Sequence, residues 1–200
     1  MSTLSGLPIF PLNTVLFPDG LLPLRVFETR YMDMTRERMK SSLPFGVCLI
    51  KDGTEVGTPA VPEPTGCLAR IIDWDMQQLG VLHLRTRGEQ RFRITGQSVN
   101  AQGLISAEVE LIAEDADIAI PPAFASCAQL LQMIMADQDA EVFAPPHRFD
   151  SAVWVGNRLS EVVPIPPVAR QKLLELTDCR TRLEILHKFL AQRGLPGFAA

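Results

Sequence analysis

The chain has 200 residues, 46% of them hydrophobic and 21% charged, which is the composition of a folded protein large enough for one large domain or two small ones. Nineteen basic residues against 23 acidic ones leave a net charge of −4, which excludes a generally basic nucleic-acid binder but not a local basic patch. Cys48, Cys67, Cys127 and Cys179 form no C-x-x-C pair and lie far in sequence from His83, His147 and His187, so the spacing speaks for reduced, buried thiols and against a zinc site. The N-terminus lacks a basic stretch followed by an apolar core, and no run of 18 apolar residues occurs, so a cytoplasmic protein without a membrane span is expected.

In chain order, the first 120 residues read as β-rich. Pro8–Leu12 and Thr14–Phe17 are short apolar runs whose prolines confine them to sheet edges or strand starts. Glu28 to Lys40 reads as a helix with Tyr31 and Met34 on one face, an acidic residue at its positive end, and Pro44 beyond it. Phe45–Ile50 is continuously apolar and closed by Lys51-Asp52-Gly53, which predicts a buried strand. Pro59, Pro62 and Pro64 make Thr58–Thr65 an extended loop. Gly66–Asp73, Gly80–Thr86, Gln90–Thr95 and Leu104–Ile112 follow as strands, a spacing that predicts a small mixed or antiparallel barrel.

After Ile120-Pro121-Pro122 the period changes. Phe124, Cys127, Leu131, Ile134 and Met135 recur at helical spacing over Ala123–Gln138. Asp150 is the expected N-cap of a helix running through Trp154 to Ser160, and Pro166-Pro167 opens the next helix. Asp178 caps the last one, in which Leu183, Leu186 and Leu190 share a face before Gly194. The expected organisation is a β-rich lobe over residues 1–120 and a bundle of four short helices over 121–200.

Seven strings in register carry a family resemblance. Leu7-Pro8-Ile9-Phe10-Pro11-Leu12, Phe17-Pro18-Asp19-Gly20 with Leu22-Pro23-Leu24, and Val26-Phe27-Glu28-Thr29-Arg30-Tyr31 open the chain. Phe45-Gly46-Val47, Gly53-Thr54-Glu55-Val56-Gly57, Gly66-Cys67-Leu68-Ala69 and Arg91-Phe92-Arg93-Ile94 follow, with Leu159–Pro164 and Lys172–Glu175 agreeing in the helical part. From about Gly6 to Leu190 the chain resembles the N-terminal, substrate-binding domain of the ATP-dependent Lon proteases. The resemblance implies an α+β fold, a PUA-like β pseudo-barrel followed by a C-terminal helical bundle. It also implies polypeptide binding. Asp19 stands where many members of that family have a glycine, and Pro18-Asp19-Gly20 still makes a good turn.

No G-x-x-x-x-G-K-[ST] occurs, and none of Lys40, Lys51, Lys172 and Lys188 follows a glycine, which excludes Walker-type ATP hydrolysis by these residues. The expectation is a stand-alone, non-catalytic module without ATPase or peptidase parts, and without cofactor or metal. Its expected partners are unfolded or exposed polypeptide segments, or a protein partner such as a full-length Lon protease. The candidate contacts are Trp74 and Met76, read as exposed on a turn formed by residues 73–78; the ordinary alternative is Trp74 folded back on the barrel. The competing function is RNA binding by Arg85, Arg87, Arg91 and Arg93 on a Val81–Thr95 hairpin, since PUA-like folds bind RNA elsewhere. Against it stand the solvated-face reading, with Glu89 as ion-pair partner, and the near absence of interleaved aromatics. Glu28 and Arg30 read as a local structural pair holding the helix to the barrel.

Overall fold

The computed structural model describes residues 2–137, 142–195 and 197–198, with only the backbone of Gln77. The chain divides into two compact units, Met1–Ala113 and Glu114–Ala200.

The first unit holds β1 (Thr3–Leu12), β2 (Leu21–Val26), α1 (Thr29–Ser41), β3 (Phe45–Asp52), β4 (Val61–Gln78), β5 (Val81–Val99) and β6 (Ile105–Leu111). The strand order is β2-β5-β4-β3-β1-β6, and β6 pairs again with β5, so five strands close a ring and β2 hangs outside it on β5. Only β1 and β3 run parallel; the other pairings are antiparallel. This is the mixed pseudo-barrel that the strand spacing predicts, with the helices following it.

The apolar run at Phe45–Ile50 is explained by burial on both faces. Cys48, with Leu7, Ile9, Leu68, Phe92, Ile105 and Val109, belongs to one core. Phe45 and Val47, with Phe10, Leu24, Tyr31, Met34, Ala69 and Leu84, belong to a second core that includes α1. Phe92 reaches the middle of the first core because Gly46 and Gly66 leave it room: a Cβ on either would stand 2.7 Å from the Phe92 ring.

Several boundaries move. Thr14–Phe17 is not a strand: Val15, Leu16 and Phe17 are buried in an irregular segment. That segment leads into two strand-like bonds across Gly88, from Asp19 N–H to its carbonyl and from its own N–H to the Gly20 carbonyl, each 2.8 Å. The expected loop Thr58–Thr65 is strand from Val61 onward. Pro62 and Pro64 are tolerated there because β5 pairing begins only at Thr65, leaving that stretch with β3 on one side. Gly66–Asp73 extends to Gln78. Gly80–Thr86 and Gln90–Thr95 fuse into the single strand β5, with Gly88 inside it rather than at a turn.

The second unit holds a short 3-10 turn at Pro122–Phe124, then α2 (Ala125–Asp137), α3 (Ala152–Val162), α4 (Pro167–Glu175) and α5 (Cys179–Gln192). Gln138, the expected end of the first of these helices, lies outside the described residues. Ser151, not Asp150, caps α3: its hydroxyl accepts from Trp154 N–H at 2.9 Å. Asp178 caps α5 and Pro167 sits in the first turn of α4, as the sequence suggests. α3 is almost wholly buried, including Arg158, and faces Arg182 of α5. Arg182 is held by Asp115 at 2.9 Å and by the carbonyls of Leu173 and Leu176 at 3.1 and 2.7 Å. All four cysteines are free thiols and buried.

Candidate binding surfaces on the first unit

Clefts lie at both ends of α1. At its C-terminal end, Arg38, Met39, Ser42 and Leu43 face Arg70–Trp74 of β4 across about 290 Å³. Ser42 ends the helix in the left-handed conformation, φ 55°. Its carbonyl accepts from Arg70, whose guanidinium is also gripped by both carboxylate oxygens of Glu89. A cation at a helix C-terminus completes the unpaired carbonyls and opposes the dipole, so this node fixes one wall of the cleft.

The other wall depends on a bulge. Ile71 stands opposite Thr86 and Asp73 opposite Arg85, so Ile72 is an extra residue in β4 and the facing of side chains resets. Trp74 then falls opposite Leu84, on the face where Ile71 meets the α1 core. The segment 73–78 is therefore strand and not turn, and the chain reverses at Leu79-Gly80. Trp74 remains 54% exposed and Met76 38%, with Leu79 at the tip 94% exposed. Leu43 and Ile72 are exposed beside them, making an apolar patch around the cleft mouth.

At the N-terminal end of α1 a second cleft of about 330 Å³ runs along β2, floored by Phe10, Leu24, Val26 and Tyr31 and rimmed by Arg25, Glu28, Glu55 and Val56. Tyr31 stacks on Phe10 with ring centroids 3.9 Å apart and lies 4.7 Å below the Arg30 guanidinium. Burial pushes the Tyr31 hydroxyl above its ordinary pKa, with Arg30 opposing the shift and Glu28 adding to it. Glu28 holds Arg30 at 3.0 Å and accepts from Gly57 N–H at 3.4 Å, while Arg30 reaches the Gly103 carbonyl at 3.0 Å. The pair ties α1 to two loops, the structural part expected of it. The sequence suggests an apolar groove that takes extended peptide, with strand addition to a proline-interrupted edge, but does not locate it; Pro23 inside the Leu21–Val26 stretch marks the edge strand beside this cleft.

The four arginines lie on one strand, β5, and not on a hairpin. Arg87 bonds Asp19 at 2.6 Å, Arg91 is buried, and Arg93 is exposed. Arg85 stands opposite Pro23 on one side and Asp73 on the other. Asp75 stands opposite His83, so both carboxylates of the 73–75 stretch face basic side chains across the ladder. Among the described residues no group of three or more His, Cys, Asp or Glu is arranged to hold a metal, and no helix is long and apolar enough to cross a membrane.

A family model for the ATP-dependent protease La (LON) substrate-binding domain matches residues 6–192. The chain is 24% identical over 186 residues to a Lon protease of Methylocella silvestris and 26% identical over 201 residues to one of Paraburkholderia phytofirmans. Each alignment covers 90% of this chain but only 23% and 24% of the relatives, so the chain spans about a quarter of their length. Among solved structures it is similar to a Lon N-terminal domain protein from Xanthomonas campestris, at 37% identity and a TM-score of 0.76 over 96% of this chain and 98% of that one. It shares the fold of the N-terminal domain of the Mycobacterium avium complex Lon protease, with a TM-score of 0.68 at 16% identity over 95% of this chain and 98% of that one.

Proposed function

The chain belongs to the family of Lon substrate-binding domains, and from that premise we propose that these 200 residues act as a non-catalytic binder of polypeptide segments, which they take up on the apolar surface around Trp74 and Met76. The observation that carries the reading is the half-exposed indole on a cleft of mixed lining that it shares with Leu43 and Ile72, with Met76 and the tip residue Leu79 exposed further along the same hairpin. Contiguous exposed apolar surface on a folded domain marks an interaction site, and aromatic side chains and methionine supply adaptable contact area there. An unfolded chain offers apolar segments without fixed geometry, which suits such a surface. A protein partner, including a full-length Lon protease, would use the same groups.

The test uses the chain's two tryptophans. Trp154 is buried, so a change of intrinsic fluorescence on mixing with a reduced, carboxymethylated, permanently unfolded protein reports on Trp74. Changing Trp74 and Met76 to alanine together removes that reporter, so wild type and variant are compared by titration calorimetry, in which the variant should bind the unfolded protein at least tenfold more weakly, with Tm essentially unchanged. Undiminished binding by the double variant overturns the assignment to this surface, and no binding by the wild type overturns the polypeptide reading. RNA binding through Arg85, Arg87, Arg91 and Arg93 has less support, because Arg91 is buried and Arg87 is engaged with Asp19. RNA affinity falling steeply with salt would restore it.

A further inference from the structure

The second cleft is bounded by two strand edges that lack a neighbour among the described residues. β2 pairs with β5 alone. β1 pairs with β3 through Ile9–Leu12 but with β6 only through Thr3–Ile9, so Phe10–Leu12 also has one open side. Phe10 and Leu12 from the one edge and Leu22–Val26 from the other line the same cleft. An edge strand presents a row of backbone donors and acceptors that another strand can satisfy. Here the row is paired with apolar floor residues, which is the combination that main-chain peptide recognition uses.

We propose that the β2 edge takes an extended polypeptide segment as an added strand, with its inward-facing side chains resting on Phe10, Leu24 and Tyr31. The six residues of β2 span roughly 20 Å, enough to pair with a segment of similar length. Arg30 already neutralises Glu28, which leaves Glu55 against Arg25 on the rim, so the cleft carries no net charge and takes a segment for its main chain and apolar side chains rather than for the sign of its flanking residues. Pro23 withholds one N–H from β2 and Pro11 one from the facing edge, which keeps the pairing incomplete and the capture reversible. This inference rests on the polypeptide-binding reading but not on the Trp74 surface, since the two clefts have no lining residue in common.

The experiment uses a capped nine-residue peptide of alternating valine and lysine, its valine–glutamate counterpart, and a set of singly N-methylated versions of the first. Strand addition predicts that N-methylation weakens binding at least tenfold at alternate central positions and little at those between, because only every second amide faces the partner strand. The glutamate peptide should bind about as well, since the rim carries no net charge. Val56→Trp, at an exposed rim position, should block the peptide while leaving Tm unchanged; Trp74→Ala with Met76→Ala should leave the peptide bound. Uniform tolerance of N-methylation, or full binding by Val56→Trp, overturns the strand-addition proposal. A protein that dimerises in sedimentation, with the dimer lost in Val56→Trp, gives the edge to a second copy and also overturns it. Failure of the peptide to bind while the unfolded protein binds through Trp74 overturns this proposal and leaves the broader reading standing.

Discussion

Asp115 and Arg182 are buried and 2.9 Å apart, and the guanidinium also serves two main-chain carbonyls at the end of α4. Removing the carboxylate alone strands a buried positive charge, so Asp115→Ala should destabilise the protein by about 3–5 kcal/mol in urea unfolding. Replacing Arg182 by methionine with Asp115→Ala should recover much of that loss, since an apolar pair needs no desolvated charge. At Gly88 the constraint is space: a Cβ would stand 2.1 Å from the Phe17 carbonyl oxygen, a backbone atom that cannot rotate away. Gly88→Ala should therefore cost roughly 1–3 kcal/mol, toward the upper end, read as a lowered urea midpoint with an unchanged slope. Neither site is visible in the sequence. Arg182 looks like a solvated residue on an amphipathic helix, and Gly88 like a turn between two strands, because burial of a charge and close approach of distant backbone depend on elements 67 and 71 positions away in the chain.

At the scale of elements, what could be read were the local signals, and what could not were the registers. Asp178 at the start of α5 is such a signal, and it accepts from the N–H groups of Arg180 and Thr181, each at 3.2 Å. The Thr181 hydroxyl, its strongest partner, and these two amides hold the Asp178 carboxyl below its ordinary pKa. A carboxyl whose pKa is lowered on folding stabilises the folded state above its unfolded value. That stabilisation fades as pH falls through the folded value, so the cap works at neutral pH and is lost in acid. Asp178→Asn keeps a competent cap but no titrating group, so its stability should depend less on pH below about 4 than the wild type's, measured by urea unfolding at stepped pH. At α3 the signal pointed one residue early, to Asp150, because both Asp and Ser suit an N-cap. Ser151→Ala should cost about 1 kcal/mol, and Asp150→Ala much less. The strands were legible as apolar runs but not as lengths. Bulges at Ile72 and beyond Asp75 let β4 continue past the Asp73-Trp74-Asp75 stretch that reads as a turn.

Taken whole, the first unit is closed by a pairing that no local pattern reveals: β1, at the N-terminus, meets β6, about 100 residues later, through pairs such as Leu4 with Val109 and Ile9 with Ile105. That closure completes the sheet inside Met1–Ala113, and every residue lining the two clefts lies in the same span. A fragment of residues 1–113 should therefore fold without the helices of the second unit, unfold cooperatively, and keep its hold on an unfolded client. The thiols give a second readout within the intact protein, two to each unit. Cys48 and Cys67 lie in the barrel, Cys127 and Cys179 among the helices, and burial raises the pKa of Cys48 and Cys179 and pushes that of Cys127 up to about 12. A thiolate-selective reagent at pH 8 should thus leave all four unmodified in the native state. In stepped urea, labelling of Cys48 and Cys67 at a different midpoint from Cys127 and Cys179 is the result expected of two separately stable units. Four thiols exposed in one step, together with an unfolded 1–113 fragment, would show instead that the barrel depends on the helices for its stability, and that the clefts exist only in the complete chain.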